Sequence, residues 1–70
     1  MTVGQRIEEA RQAKGLPLVH VARAAGISYE SLRNIIRGAN SPTLTTLHRV
    51  AIALGCRVSD LVEGVEYDGA

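Results

Sequence analysis

Phenylalanine and tryptophan are absent from this 70-residue chain, tyrosine occurs twice, and cysteine and methionine occur once each. A core must therefore be filled by aliphatic side chains and alanine. With 46% of residues apolar there is enough for one small core, and the length bounds the chain to a single domain. A core of this size is marginal by itself and is often helped by dimerisation. The lone Cys56 cannot close an internal disulfide, and a small buried thiol in a reducing, cytoplasmic setting is expected. No apolar run approaches the ~20 residues that cross a membrane, and the first residues lack the charged-then-apolar pattern of a secretory signal. His20 and His48 are far apart and have no cysteine or acidic partner at metal-ligand spacing. Neither a nucleophile–base arrangement nor a phosphate-cradling glycine loop is present. The expectation is a protein that is not an enzyme, with no cofactor, no metal, no small-molecule ligand and no membrane partner.

What the net charge of +1 hides is its distribution. Residues 11–57 hold Arg11, Lys14, Arg23, Arg33, Arg37, Arg49 and Arg57 against Glu30 alone. Acidity collects in the last residues, at Asp60, Glu63, Glu66 and Asp68. A basic middle can bind a polyanion if the acidic end lies elsewhere in space. The same pattern also describes ordinary solvated charge.

Breakers at Gly15 and Pro17, at Gly26, from Gly38 to Pro42, at Gly55 and at Gly64 cut the chain into five short segments. Each carries helical rather than alternating periodicity. The first, from Thr2 to Lys14, opens with Thr2 and Gln5 at capping-box spacing and places Val3, Ile7, Ala10 and Lys14 near one face. The second runs from Pro17, placed at the first helical position, to Ala25, with Leu18, Val21, Ala22 and Ala25 inward. The third, Tyr29 to Arg37, has Ser28 as its cap and Leu32, Ile35 and Ile36 spaced for burial. In the fourth, capped by Thr43, Leu44, Leu47, Ala51 and Leu54 form a stripe. The fifth, Ser59 to Glu63, buries Leu61 and Val62. The chain is thus predicted to be all-α, with a five-helix domain over residues 1–64 and a tail over residues 65–70.

The second and third segments form a specific unit. Ala22 is small enough for two helix backbones to approach, and Gly26 can take the positive φ of a sharp turn. Ile27 buries in that turn, and Leu32 and Ile35 anchor the following helix. This is the pattern of a helix-turn-helix, a unit that commonly holds its second helix against DNA. Residues from about Val3 to Val62 resemble the Cro/cI-type, or XRE-like, helix-turn-helix DNA-binding domains. The resemblance rests on Ile7 and Arg11, Gly15-Leu16, Val21-Ala22, Ala25-Gly26-Ile27-Ser28, Leu32, Ile35, Arg37-Gly38, Pro42, Leu44, Leu47, Ala51, Leu54-Gly55, Val58 and Leu61.

The resemblance implies a compact lambda-repressor-like domain whose third helix is the recognition helix. It implies a double-stranded DNA partner and a homodimeric regulator of transcription, repressor-like in kind. Tyr29, Glu30, Arg33 and Asn34 are the candidate base-contacting residues. Arginine matches guanine O6 and N7, asparagine matches adenine N6 and N7, and a carboxylate accepts from cytosine N4. Ser28, Ser31, Arg37, Asn40 and Ser41 are candidates for the phosphate backbone, which positions without specifying. Leu61, Val62, Val65 and Tyr67 are candidates for a dimer contact, though Val58, Leu61 and Val62 also suit the monomer's own core.

The sequence departs from the family's pattern in three places. Pro17 and Leu18 stand where a Ser or Thr cap and a Gln are usual. Ile36 stands where a Glu often pairs with the arginine at position 11, so Arg11 needs another acceptor, solvent or phosphate. Glu30 replaces a neutral polar reader. These departures favour a rival reading, a protein-interaction module such as an antitoxin-like partner. A third reading is the DNA-binding half of a longer regulator.

Overall fold

In the computed structural model, which describes residues 1–65, the chain forms five helices. They are α1 (Val3–Lys14), α2 (Leu18–Ala25), α3 (Tyr29–Ile36), α4 (Leu44–Leu54) and α5 (Val58–Val62). Most boundaries follow from local chemistry. Thr2 Oγ1 accepts from the Gln5 amide at 3.1 Å, and the Gln5 side chain accepts from the Thr2 amide at 2.8 Å, so two of the unpaired N-terminal donors of α1 are satisfied together. Ser28 caps α3 through the Ser31 amide at 3.0 Å, and Thr43 caps α4 through the Thr46 amide at 3.1 Å. At the start of α5 the Asp60 carboxylate accepts from the Arg57 amide at 2.9 Å. That contact starts the helix at Val58, one residue before the sequence pattern placed it.

Pro17 is not the first helical residue of α2. Its ψ of 141° is extended, which makes it the N-cap, and its carbonyl accepts from His20 and Val21 at 3.0 and 3.2 Å. Likewise α3 stops at Ile36, with Arg37 as its C-cap. At the turn between α2 and α3, Gly26 takes φ 72°, and the amides of Gly26 and Ile27 donate back to the last carbonyls of α2. This is the left-handed position at which a side chain is strained.

The core consists of Ile7, Val21, Ala22, Ala25, Leu32, Ile35, Leu47, Val50, Ala51, Leu54 and Leu61, with no polar side chain buried among the described residues. The most extensive packing is α2 on α4, while α1 lies across α3, α4 and α5. Leu18, Ile27, Ile36 and Val62, expected to face inward, are only half-buried, and one expected core position is open to solvent. Leu44, at the first residue of α4, is 74% exposed. Val50, three residues after Leu47 and not anticipated from the stripe, is fully buried. Cys56 is only half-buried, contrary to expectation, and burial is the main cause that raises its thiol pKa.

Gly4 has a role the sequence pattern does not announce. It is buried where α1 crosses the end of α3, and a β-carbon there would meet the carbonyl oxygens of Ile35 and Ile36 at 2.4 and 2.5 Å. Those contacts are with backbone, so no side-chain rotation relieves them. Arg11, whose usual partner position holds Ile36, is paired instead with Glu8 three residues earlier. Both Arg11 Nε and Nη2 donate to Glu8, Gln12 adds a third donor at 2.9 Å, and Arg11 Nη1 donates to the Leu16 carbonyl at 2.8 Å. The Arg11 hydrogen bonds, then that from Gln12, hold the Glu8 carboxyl below its ordinary value, and Glu8 raises Arg11. Arg11 is therefore a fastener of the α1–α2 turn rather than a free phosphate ligand.

Three changes in stability are expected from these contacts. Gly4→Ala should destabilise the domain by about 1–3 kcal/mol in urea unfolding despite alanine's better helix propensity, because overpacking against backbone outweighs it. Gly26→Ala meets only Arg49 Nη1, at 3.9 Å, so its cost should be only that of the positive φ, about 1 kcal/mol. The Glu8 contribution has the sign of a lowered carboxyl pKa. It is present above the unfolded value and lost as pH falls below about 4.5 toward the folded value. Glu8→Gln should accordingly lower stability by under about 1 kcal/mol at neutral pH, and the gap between variant and wild type should close in acid.

Candidate nucleic-acid interface

Helix α3 is held by its inner face and open on its outer one. Leu32 and Ile35 are buried, while Tyr29, Glu30, Arg33 and Arg37 are exposed and Asn34 is half-buried. This is the consequence of helical spacing, since positions three and four apart share a face. The outer face forms a shallow depression of about 260 Å³ lined by Tyr29, Glu30, Arg33, Asn34 and Arg37. The four residues predicted to read bases are thus brought together, with Arg37 beside them.

Within that depression the side chains are ordered in two pairs. The Arg33 guanidinium carbon lies 5.8 Å from the centre of the Tyr29 ring, within range of a cation–π contact. Asn34 Oδ1 accepts from Arg37 Nη2, and the Asn34 carbonyl accepts from the amides of Ala39 and Asn40. Neither Arg33, Arg37 nor Glu30 makes an ion pair with any described residue.

The remaining predicted positions are not all in one place. Ser28 and Ser31 sit at the start of α3, where Ser28 Oγ accepts from the Ser31 amide and donates to Ser31 Oγ at 2.8 Å. Asn40 and Ser41 are exposed in the following loop, but they line a different and larger cavity of about 560 Å³. That cavity is bordered by residues 1–4, Ile35 and Val65. Leu61 is fully buried against the monomer's core, so it presents nothing to a second copy. Val62 is half-buried on the same core, Val65 lies beside the chain's own N-terminus, and Tyr67 lies outside the described residues.

Basic side chains elsewhere are divided between scaffold and surface. Arg6 donates to the Asp60 carbonyl at 2.8 Å and pairs with Glu9, and Lys14 donates to the Gly55 carbonyl at 3.1 Å. Arg49, exposed on α4, brings its guanidinium to the α2–α3 turn at Gly26. No local pattern connects those two positions, because the approach comes from the packing of α4 on α2.

A model of the HTH_3 helix-turn-helix family matches residues 7–61. The chain belongs to that family. This HTH_3 domain is 44% identical to the HTH-type transcriptional regulator DdrOP3 of Deinococcus deserti over 69 residues, which are 99% of this chain and 54% of that protein. It is 45% identical to the immunity repressor protein of Bacillus phage phi105 over 62 residues, 89% of this chain and 43% of that protein. The chain therefore spans about half the length of these relatives. In three dimensions it is similar to the biofilm master regulator SinR in complex with DNA, with a TM-score of 0.81 and 32% identity, over 87% of this chain and 98% of that one. The HTH_3 fold here is the lambda-repressor-like arrangement, as the sequence resemblance implied. No helix among the described residues is long and apolar enough to cross a membrane.

Because the Ser28 hydroxyl satisfies an α3 amide, Ser28→Ala should lower stability by about 1 kcal/mol in urea unfolding. An unchanged midpoint would show that the start of α3 is satisfied without this cap.

Proposed function

We propose that this HTH_3 domain binds double-stranded DNA sequence-specifically and serves as the DNA-binding part of a repressor-like transcriptional regulator, with α3 in the major groove. The carrying observation is the outer face of α3, where Arg33 and Arg37 share one depression and no described carboxylate neutralises either. Arg37 suits the phosphate backbone, with Ser28, Ser31, Asn40 and Ser41 as further polar contacts at both ends of α3. That the related SinR is solved in complex with DNA, and that the relatives are regulators and a repressor by name, supports the same reading.

Binding as a homodimer is part of this proposal, since partly palindromic sites with half-sites about 34 Å apart match a two-fold pair of such domains. With Leu61 buried, Val62, Val65 and Tyr67 remain the candidates for that contact. The protein-interaction rival would draw support from an exposed apolar patch of Tyr29 and Ile36. Ile36 instead packs partly buried against the core, and the Tyr29 ring lies beside Arg33.

Fluorescent-duplex titration at several salt concentrations tests the reading. Affinity should fall steeply with salt, and Arg37→Ala should reduce the salt slope by about one phosphate's worth without changing which sequence is preferred. Failure to retain any duplex from a random pool at low salt would remove the proposal. Sedimentation across concentration checks the dimer, which a strict monomer at high concentration would exclude.

A further inference from the structure

The outer face of α3 carries two side chains of opposite charge that do not neutralise each other. Glu30 and Arg33 are three residues apart, a spacing at which ion pairs commonly form, and both line the same depression. Yet neither makes an ion pair with a described residue. The Arg33 guanidinium lies instead against Tyr29, four residues back. Its side chain is thereby drawn toward the N-terminal end of α3, the end from which recognition helices touch bases. Asn34 is oriented the other way. It is half-buried, and its amide oxygen is taken by Arg37 at the C-terminal end.

We infer that Glu30 and Arg33 together read a guanine and a cytosine in neighbouring base pairs, that Tyr29 is the positioning residue for Arg33, and that Asn34 clasps Arg37 instead of reading a base. The inference rests on the DNA-binding reading above. Arginine presents a donor fork that fits the two acceptors of guanine, O6 and N7. A carboxylate has acceptors only, and of the four bases cytosine offers a major-groove donor with no acceptor beside it on the same base. Facing thymine O4 or guanine O6, Glu30 would meet another acceptor, and facing adenine it would meet N7 beside N6. Three residues of helix separate the Cα positions of Glu30 and Arg33 by about 4.5 Å along the axis. That spacing is near the rise of about 3.4 Å between successive base pairs, so the two side chains suit neighbouring pairs. The arrangement also accounts for a carboxylate at a phosphate-rich surface, because a cytosine amino group gives it a partner.

Selection from a random duplex library, followed by titration of the enriched site and its single-base-pair variants, tests this directly. Wild-type protein should enrich a half-site with adjacent guanine and cytosine, and replacing either pair by A·T should weaken binding roughly tenfold or more. Glu30→Gln should move the preference at the cytosine position to adenine, because a carboxamide can pair with both N6 and N7. Tyr29→Ala should lose guanine discrimination with an unchanged salt slope, whereas Tyr29→Phe, which keeps the ring, should restore it. Asn34→Ala should alter no base preference. Enrichment of half-sites without an adjacent guanine and cytosine would overturn the inference while leaving DNA binding intact. So would a Tyr29→Phe variant as impaired as Tyr29→Ala, or a preference for adenine lost in Asn34→Ala. Absence of wild-type binding to any duplex would remove the DNA-binding reading itself.

Discussion

Everything on the outer face of this domain depends on how α3 is held from beneath. Eight residues are too few for a helix to persist alone in water. Its stability must come from docking, and it has only Leu32 and Ile35 as fully committed anchors. The docking is made close by Gly4, whose missing side chain lets α1 approach the carbonyls at the end of α3. The Ser28 cap fixes the other end. With both ends and the inner face constrained, Tyr29, Glu30, Arg33 and Arg37 are left to solvent on a helix that cannot rotate without uncovering its anchors.

The distribution of charge follows the same division between inside and outside work. Arg6, Arg11 and Lys14 are basic residues whose donors are directed at carbonyls or at glutamates of the chain itself. They join α1 to the α1–α2 turn, to the end of α4 and to α5. Arg33 and Arg37 lack such ion partners among the described residues, and they are the ones on the exposed helix. A net charge of +1 therefore coexists with two unpaired arginines on the exposed helix, while Arg6, Arg11 and Lys14 are engaged with the chain's own carbonyls and glutamates.

Much of the fold was legible because its punctuation is local. A cap such as Thr2–Gln5 or Ser28–Ser31 involves residues three apart, and the stop at Gly26 needs only that residue's freedom at positive φ. Helical periodicity then identified Ile7, Val21, Ala22, Leu32, Ile35, Leu47, Ala51, Leu54 and Leu61 as inward. Leu44 broke the pattern because periodicity gives a direction around the helix axis and says nothing of whether a neighbour covers its first turn. Gly4 was passed over because a glycine inside a helix is ambiguous without knowing what crosses it. Glu8 as the partner of Arg11 had a visible signal in its i,i+3 spacing, and the apolar Ile36 at the family's usual partner position left Arg11 in need of such an acceptor.

For the site, the sequence by itself determined which residues lie on the outer face of α3, since that follows from the helical repeat and from which side chains are apolar. It also determined the family, through the order and spacing of many small and aliphatic positions. Only the tertiary structure decided that Leu61 is enclosed by the monomer, that Asn40 and Ser41 line a different cavity from Arg33, and that Arg49 reaches the turn. Each of these depends on how separate helices meet, and contacts between residues distant in the chain leave no periodic mark on it. The pairing of Arg33 with Tyr29 and of Asn34 with Arg37 lies between the two. Spacing permits both pairs, and the side-chain geometry on the folded helix selects Tyr29 over Glu30, three residues away, as the neighbour of Arg33.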